Sequence, residues 1–311
     1  MNTEIKNIWK VIINPQAGGN TDAGVWEKIL LQLKEARIAY DYELSKHHQH
    51  IIDIVYQSIA KGFRKFIVIG GDGSLNEVAN GIYNQSMVSP TEITTAHISL
   101  GTGNDWHKTH KLPVEPHFMI QKIKSGKTSA QDVGLVTFQD DTGNKMSHFV
   151  NVAGMGFDAF VVLNTREKKE KKNRSRFAYL YSLFRSLLRY KCLPARVYID
   201  GTEVFYGHLF SFNVGIGKYN GGGMMQLPEA VADDGLLDIT LFRKMPKIKV
   251  IFNIKKLYNG TFTTMKEVSL FKGQNIVLHS DHPIALECDG ELMGHSPATF
   301  SIIPLGFRYI C

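Results

Sequence analysis

The sequence predicts an α/β protein in two parts: an N-terminal doubly wound, mainly parallel sheet, and a C-terminal antiparallel β-rich sandwich. Three observations lead there. Over the first 130 or so residues, short all-apolar runs alternate with segments of helical period. Beyond Val133 that alternation gives way to strand-like runs separated by Asp-Gly turns. Three of the early apolar runs also end in glycine-containing polar loops, the pattern of a parallel sheet with a ligand at the carboxyl ends of its strands.

The elements follow in order. Val11 to Ile13 reads as a strand, and Val25, Ile29, Leu33 and Ala36 as one face of a helix. Tyr42 to Leu44 is the second strand, followed by Ser45 and a helix marked by Ile51, Ile52, Val55 and Ile59. Phe66 to Ile69 is a four-residue apolar run, as expected of a central strand covered on both faces. Leu75, Val78, Ala79 and Ile82 recur at helical spacing, and Ser74 with Glu77 forms a Ser-x-x-Glu capping box that is expected to fix the helix start. The last strand of this half spans Ile93 to Leu100. A boundary near residue 134 divides the chain into 1–134 and 135–311. In the second part strands are expected at Phe149 to Val152, Arg196 to Ile199, Leu209 to Val214, Leu237 to Phe242, Asn275 to Leu278 and Ala298 to Ile303, with turns at Asp200-Gly201 and Asp289-Gly290.

Composition narrows the class of protein. The chain has 311 residues, 43% hydrophobic and 21% charged, which is ordinary for a folded soluble protein. No apolar run approaches the roughly 18 residues of a membrane span, and the start lacks a signal-type segment, so a cytoplasmic protein is expected. Cys192, Cys288 and Cys311 are odd in number and have no metal-type spacing, in keeping with a reducing compartment. The net charge of +7 suits an anionic bilayer or a nucleic acid. The absence of an aromatic-rich single-strand platform leaves no positive case for nucleic acid.

The chemistry concentrates in Gly70-Gly71-Asp72-Gly73-Ser74-Leu75-Asn76-Glu77, where a buried strand passes into a helix. Glycines permit close backbone approach, and the free N–H groups and positive end of the helix attract an anion. Asp72 would repel phosphate unless a cation or a proton donor lay between them, which suggests Mg²⁺ handling rather than simple anion binding. The string is neither G-x-G-x-x-G nor G-x-x-x-x-G-K-[ST]. Asn14-Pro15-Gln16-Ala17-Gly18-Gly19 and Gly101-Thr102-Gly103-Asn104-Asp105 follow two other strands and would share its edge. Three such loops describe a nucleotide pocket.

With these loops, and with Tyr219-Asn220-Gly221-Gly222-Gly223-Met224, Pro228-Glu229-Ala230, Asp233-Asp234-Gly235-Leu236-Leu237-Asp238 and Asp289-Gly290-Glu291 following in order, the chain resembles the diacylglycerol kinase catalytic-domain family, specifically soluble bacterial lipid kinases related to sphingosine and ceramide kinases. The resemblance covers nearly the whole chain. Phosphofructokinases and NAD kinases share the Gly-Gly-Asp-Gly loop and the N-terminal fold but are not expected to carry the second-half motifs. Ser74 departs from the family's usual threonine and keeps the hydroxyl; Trp106-His107 replaces a Phe-Ala-like pair.

The resemblance implies ATP and Mg²⁺ as cofactors and a lipid alcohol, most simply diacylglycerol, as substrate, phosphorylated in a cleft between domains toward which the last strands, about 300–311, return. Asn14, Pro15, Gly18, Gly19, Ser45, Gly70, Gly71, Asp72, Gly73, Ser74, Asn76, Glu77, Gly101, Thr102 and Asn104 are its nucleotide-binding positions; Ser45 is read equally as a helix N-cap. Asp72, Asp105 and Asp132 match carboxylates arranged around the catalytic Mg²⁺ and its water. Asp289 and Glu291 are the candidates for the base that accepts the hydroxyl proton, although Asp289-Gly290 alone reads as a type I′ hairpin turn. Asp234, with backbone carbonyls near Val231 and Leu236, matches a structural Mg²⁺ site. An NAD or sugar-phosphate kinase, or a nucleotide-binding regulator without catalysis, stands as the alternative. Family members often form homodimers.

Arg166 to Arg174 is densely basic and leads into Phe177, Leu180, Leu183, Phe184 and Leu187. The charged lead-in is expected to contact an anionic membrane peripherally, and Leu180 to Leu187 to pack on the β-domain. His47, His48 and His50 lack a carboxylate or cysteine partner at a set spacing and read as a solvated loop.

Overall fold

The computed structural model describes residues 5–19, 23–101, 103–169 and 184–311. The N-terminal sheet is parallel, ordered β2 (Tyr40–Leu44), β1 (Trp9–Ile13), β3 (Lys65–Gly70) and β4 (Thr94–Ser99). Side chains alternate across the pleat, and each set has its own helices. Val11, Ile13, Ile67, Ile69 and Ile98 pack against α1 (Ala23–Glu35) and α5 (Pro116–Ser125). Ile12, Phe66 and Val68 pack against α2 (His50–Ala60) and α3 (Asp72–Tyr83). This is the doubly wound arrangement that uninterrupted apolar strands require. The short α4 (Asp105–His110) follows β4.

Beyond β4 the sheet continues through strands of the second half. Arg308 and Tyr309 of β14 (Glu291–Ile310) pair in parallel with Thr94 and Thr95. β5 (Thr128–Asp140) runs antiparallel to β14 and carries the chain across to β6 (Gly143–Phe149). The remaining strands are β7 (Val152–Gly156), β8 (Leu193–Ile199), β9 (Thr202–Gly215), β10 (Leu237–Arg243), β11 (Val268–Gly273), β12 (Asn275–His279) and β13 (Ala285–Cys288). β14, β12, β8, β9, β7 and β13 pair antiparallel in a closed circuit around a core that includes Phe149, Phe212, Leu241, Leu278 and Phe300. β9 and β14, at 14 and 20 residues, serve both layers. α6 (Phe157–Lys169) leaves β7 directly.

Several local expectations change. α3 begins at Asp72 with Gly71 as its N-cap, three residues before the anticipated cap at Ser74, so Ser74 and Glu77 form no capping box. Ser74 sits in the first turn, and the Glu77 carboxylate instead accepts the Ile51 amide of α2 at 3.2 Å. Ser45 is not the N-cap of α2, because a turn intervenes and Gln49 takes that position at φ 65°. The run Phe149 to Val152 is a junction between β6 and β7 rather than one strand. The runs at Leu209 and Ala298 are parts of the much longer β9 and β14. At both Asp-Gly turns both residues have positive φ: 47° and 84° at Asp200-Gly201, and 48° and 84° at Asp289-Gly290. Of the segment around 166–190, Leu187 is buried while Phe184 is exposed; Arg174, Phe177, Leu180 and Leu183 lie outside the described residues.

Candidate active site

At the carboxyl edge of the parallel sheet three loops close on one another. Asn14, one residue past β1, donates from Nδ2 to Ser74 Oγ at 3.0 Å, tying the first loop to the start of α3. Gly18 has φ 67°, and a Cβ there would lie 2.2 Å from the Leu100 carbonyl oxygen, so the 14–19 turn rests on the 100–104 loop only because it lacks a side chain. Gly71 and Gly101 face each other so closely that a Cβ on Gly101 would stand 3.1 Å from Gly71 Cα. Pro15 and Gly19 lie in this first turn, Gly70 ends β3, and Ser45 donates its amide to Ile13 O at the end of β1 (2.8 Å). Asn104 caps α4 in the left-handed region, φ 52°, with its Oδ1 accepting the Ser99 hydroxyl. Thr102 lies outside the described residues.

Two carboxylates meet above these loops. Asp72 accepts the backbone amides of Asp105 (3.2 Å) and Trp106 (3.4 Å), which places a negative charge at the start of α4. A Cβ on Gly103 would be 3.3 Å from both Asp72 Oδ2 and Asp105 Oδ2, which brings these two oxygens to one place. Burial, reinforced by the Asp105 charge, raises the Asp72 carboxyl above its ordinary range. Asp105 pairs with Lys108 Nζ at 3.4 Å and accepts the Gly222 amide at 2.8 Å, so it reaches the glycine-rich turn of the second half. Gly221, Gly222 and Gly223 all have positive φ, between 62° and 99°, which explains three glycines in succession. Two carboxylates whose oxygens are brought to one place are what a divalent cation relieves, so Asp72 and Asp105 fit Mg²⁺.

Asp132 does not join them. Its oxygens accept the Leu305 (2.7 Å) and Gly235 (2.8 Å) amides, so it braces β14 and the 233–235 turn. Burial, then the charges of Asp234 and Asp233, raise it. At that turn the positive charge comes from the protein. Lys272 Nζ lies 3.3 Å from Asp234 Oδ2, 3.1 Å from Asp238 Oδ2 and 3.3 Å from the Glu229 carbonyl. Asp238 and Lys272 are direct cross-strand neighbours on β10 and β11. The Leu236 amide donates to Asp234 Oδ1, and the Val231 amide to the Asp238 carboxylate. Asp234 and Asp238 are thus met by an ammonium and two amides, and Lys272 stands beside the one carboxylate of the expected Mg²⁺ site.

Asp289 and Glu291 occupy different surroundings. Asp289 is 7% exposed and accepts four hydrogen bonds: Asn76 Nδ2 and the Val150 amide on Oδ2, both at 2.9 Å, and the Asn151 (3.1 Å) and Val152 (2.9 Å) amides on Oδ1. The break between β6 and β7 exists to aim those three amides. Burial pushes Asp289 up to about 6 even so. Glu291 is at the cleft surface. Its Oε1 would be 3.4 Å from a Cβ on Gly73, at the start of α3, and its Oε2 is 3.0 Å from His48 Nε2. His48, read from sequence as part of a solvated loop, thus reaches across to the second half of the chain.

Sequence reading also passed over Glu287. It is 1% exposed on β13, accepts Asn220 Nδ2 (3.0 Å) and the Gly290 amide (2.8 Å), and is pushed up to about 8 by burial. The available signal was a carboxylate inside the otherwise buried run Leu286 to Cys288. Trp106 is buried and donates to Gln131 Oε1 at 2.8 Å, which settles the packing of the unusual Trp-His pair. Beside Glu287 and Gly290 lies a cavity of about 300 Å³. Its walls are apolar, among them Phe157, Val161, Phe210, Met245, Leu257 and Phe262, and Asp158, Ser211, Asn213, Gln226 and Glu287 form its polar end.

Known proteins share this architecture. A diacylglycerol kinase from Bacillus anthracis superposes with a TM-score of 0.71 at 20% identity, covering 98% of this chain and 96% of that one, a likeness of fold. An NAD kinase from Archaeoglobus fulgidus, solved with ATP, gives 0.53 at 12% identity, with 98% and 94% covered, a likeness of fold alone. In sequence, the chain is 30% identical over 255 residues to a diacylglycerol kinase of Mycobacterium tuberculosis, covering 81% of this chain and 78% of that one. It is 27% identical over 311 residues to Bacillus subtilis YtlR, named as a lipid kinase, with 96% and 98% covered. The diacylglycerol kinase catalytic domain matches residues 9–136, and the YegS C-terminal NAD kinase beta sandwich-like domain matches residues 151–311. The chain belongs to the diacylglycerol kinase catalytic-domain family and is a phosphotransferase of the lipid kinase kind.

Proposed function

We propose that the protein transfers the γ-phosphate of ATP to the free hydroxyl of diacylglycerol, giving phosphatidic acid, at the cytoplasmic face of a membrane. The observation that carries this reading is the apolar cavity lined at its polar end by Glu287 and by Gly290, the residue before Glu291, whose Oε1 would stand 3.4 Å from a Cβ on Gly73 of the phosphate-type loop. A lipid with its tails among Phe157, Phe210 and Phe262 would present its head group toward Glu291. The triphosphate is assigned to the loops at 14–19, 70–74 and 101–104, with the first-turn amides of α3 as donors.

Asp72 and Asp105 would hold Mg²⁺, which supplies neutralisation of the phosphate charge when bound. Glu291 is assigned as the proton acceptor, because all the lone-pair positions of Asp289 are engaged by amides and Asn76. His48 orients the Glu291 carboxylate. Asp289 keeps the turn and the β6–β7 junction in register and is a positioning residue.

The test is transfer of labelled phosphate from ATP to a panel of lipids in mixed micelles with Mg²⁺, using the native protein, Glu291→Gln and Asp72→Asn. Label on diacylglycerol that disappears in both variants supports the proposal. Label on a soluble alcohol or on NAD alone refutes it in favour of a soluble-substrate kinase, and no label on any acceptor leaves a nucleotide-binding regulator as the better account.

A further inference from the structure

One wall of the apolar cavity is built by a segment whose second face is exposed among the described residues. The segment Lys247–Asn259, two short helices joined at Ile254 and Lys255, contributes Val250, Ile251, Ile254 and Leu257 to the cavity wall. On the other side of the same segment Ile248 is 59% exposed, Phe252 80% and Tyr258 49%. Ile248 and Phe252 are four residues apart and so share one helix face. A helix that turns apolar side chains both inward and outward has two apolar environments to satisfy, and the interior supplies one of them.

The charges around this face have one sign. Residues 244–266 contain six lysines and no aspartate or glutamate. Lys249 is taken up by Glu267 at 2.8 Å, and Lys247 Nζ donates to the Leu188 carbonyl at 2.6 Å. Lys244, Lys247 and Lys255 are exposed beside the apolar face. The neighbouring helical residues 184–189 add exposed Phe184 and Leu188, each followed by an exposed arginine, Arg185 and Arg189. Exposed aromatic and aliphatic side chains ringed by cations match the interfacial zone of an anionic bilayer, where apolar groups enter the acyl boundary and lysines meet phosphates. Continuity with the cavity selects the same partner: a lipid leaving the bilayer at Phe252 would pass straight to Ile251 and Leu257.

We propose that the Lys247–Asn259 segment is the membrane-docking surface of the protein, and that its partner is an anionic phospholipid bilayer. The proposal rests on the lipid-kinase reading for its purpose but is measured without it. The experiment is flotation of the full chain with vesicles of phosphatidylcholine alone or with about 30% phosphatidylglycerol, comparing the native protein with Ile248→Ser/Phe252→Ser and with Lys244→Glu/Lys255→Glu. None of these side chains lines the cavity. The native protein should float with anionic vesicles and much less with neutral ones, and both variants should lose about tenfold or more of the anionic binding.

A Phe252→Trp probe should shift its emission to the blue on anionic vesicles only. Transfer to a short-chain diacylglycerol in detergent should stay within about twofold of native in both variants, which separates docking from catalysis. Should native protein and variants float alike, or should the serine variant change only the oligomeric state on a sizing column, the proposal is overturned. If transfer to micellar lipid is absent in the native protein while flotation behaves as described, the docking surface stands and the lipid-kinase reading fails.

Discussion

Two carboxylates two positions apart, Asp289 and Glu291, show how burial divides work between like residues. Asp289 lies inside the fold with four donors, and Glu291 lies at the cleft with His48. Glu291→Gln should therefore lower kcat by about 10²–10⁴ while leaving the melting temperature near native, a contrast read by parallel kinase assay and thermal melt. Asp289→Ala should fail in both, because three amides and Asn76 lose their acceptor at about 1–3 kcal/mol for each buried group left unsatisfied. Glu287 gives a pH signature. Its folded-state value of about 8 exceeds the ordinary 4.5, so folding takes up a proton between those limits and stability falls as pH rises through them. Glu287→Gln should flatten that slope and raise the melting temperature at pH 8 more than at pH 5.

At the scale of elements, the 233–238 turn and β11 form a unit in which Lys272 stands opposite Asp238. Chelation of divalent ions should leave the native melting temperature unchanged, whereas Lys272→Met should lower it and make it respond to added Mg²⁺. The 14–19 turn is as specific. Gly18→Val would drive a branched side chain into Leu100 O at positive φ, so it should raise KM for ATP with a smaller change in stability, measured by initial rates across nucleotide concentration. The parallel strands and their helices were legible because the apolar runs Val11 to Ile13 and Phe66 to Ile69 and the 3.6-residue periodicity between strands both survive in the sequence. The start of α3 was misplaced by three residues, since Ser-x-x-Glu describes a capping box whether or not the backbone uses it. His48 and Glu287 were missed for a different reason: their roles come from partners, Glu291 and Asn220, that stand far away in the chain.

For the whole molecule, the feature that unites the parts is β14, which belongs to both. Its first residues turn out of the Asp289-Gly290 hairpin, its middle pairs with β12 and β5, and Arg308 and Tyr309 complete the parallel sheet beside β4. Phe307 and Tyr309 are buried in the same cluster as Leu75 and Val78 of α3. Removal of residues 306–311 should therefore unfold the nucleotide half as well as the β half, seen as loss of one cooperative transition rather than of a small step. The late apolar runs were visible in the sequence, but their membership of a sheet begun about 300 residues earlier was implied only by resemblance, because no local pattern encodes which edge a strand will join.

A ribosome making this chain has released β1 to β4 long before it reaches Arg308 and Tyr309, so the first sheet emerges with one flank open and must wait for the final strand. Until then that flank is a strand edge on offer to any neighbouring nascent chain. The order of synthesis thus makes a prematurely terminated product both inactive and adhesive, and gives the cell reason to keep a chaperone on the first half until the second half arrives.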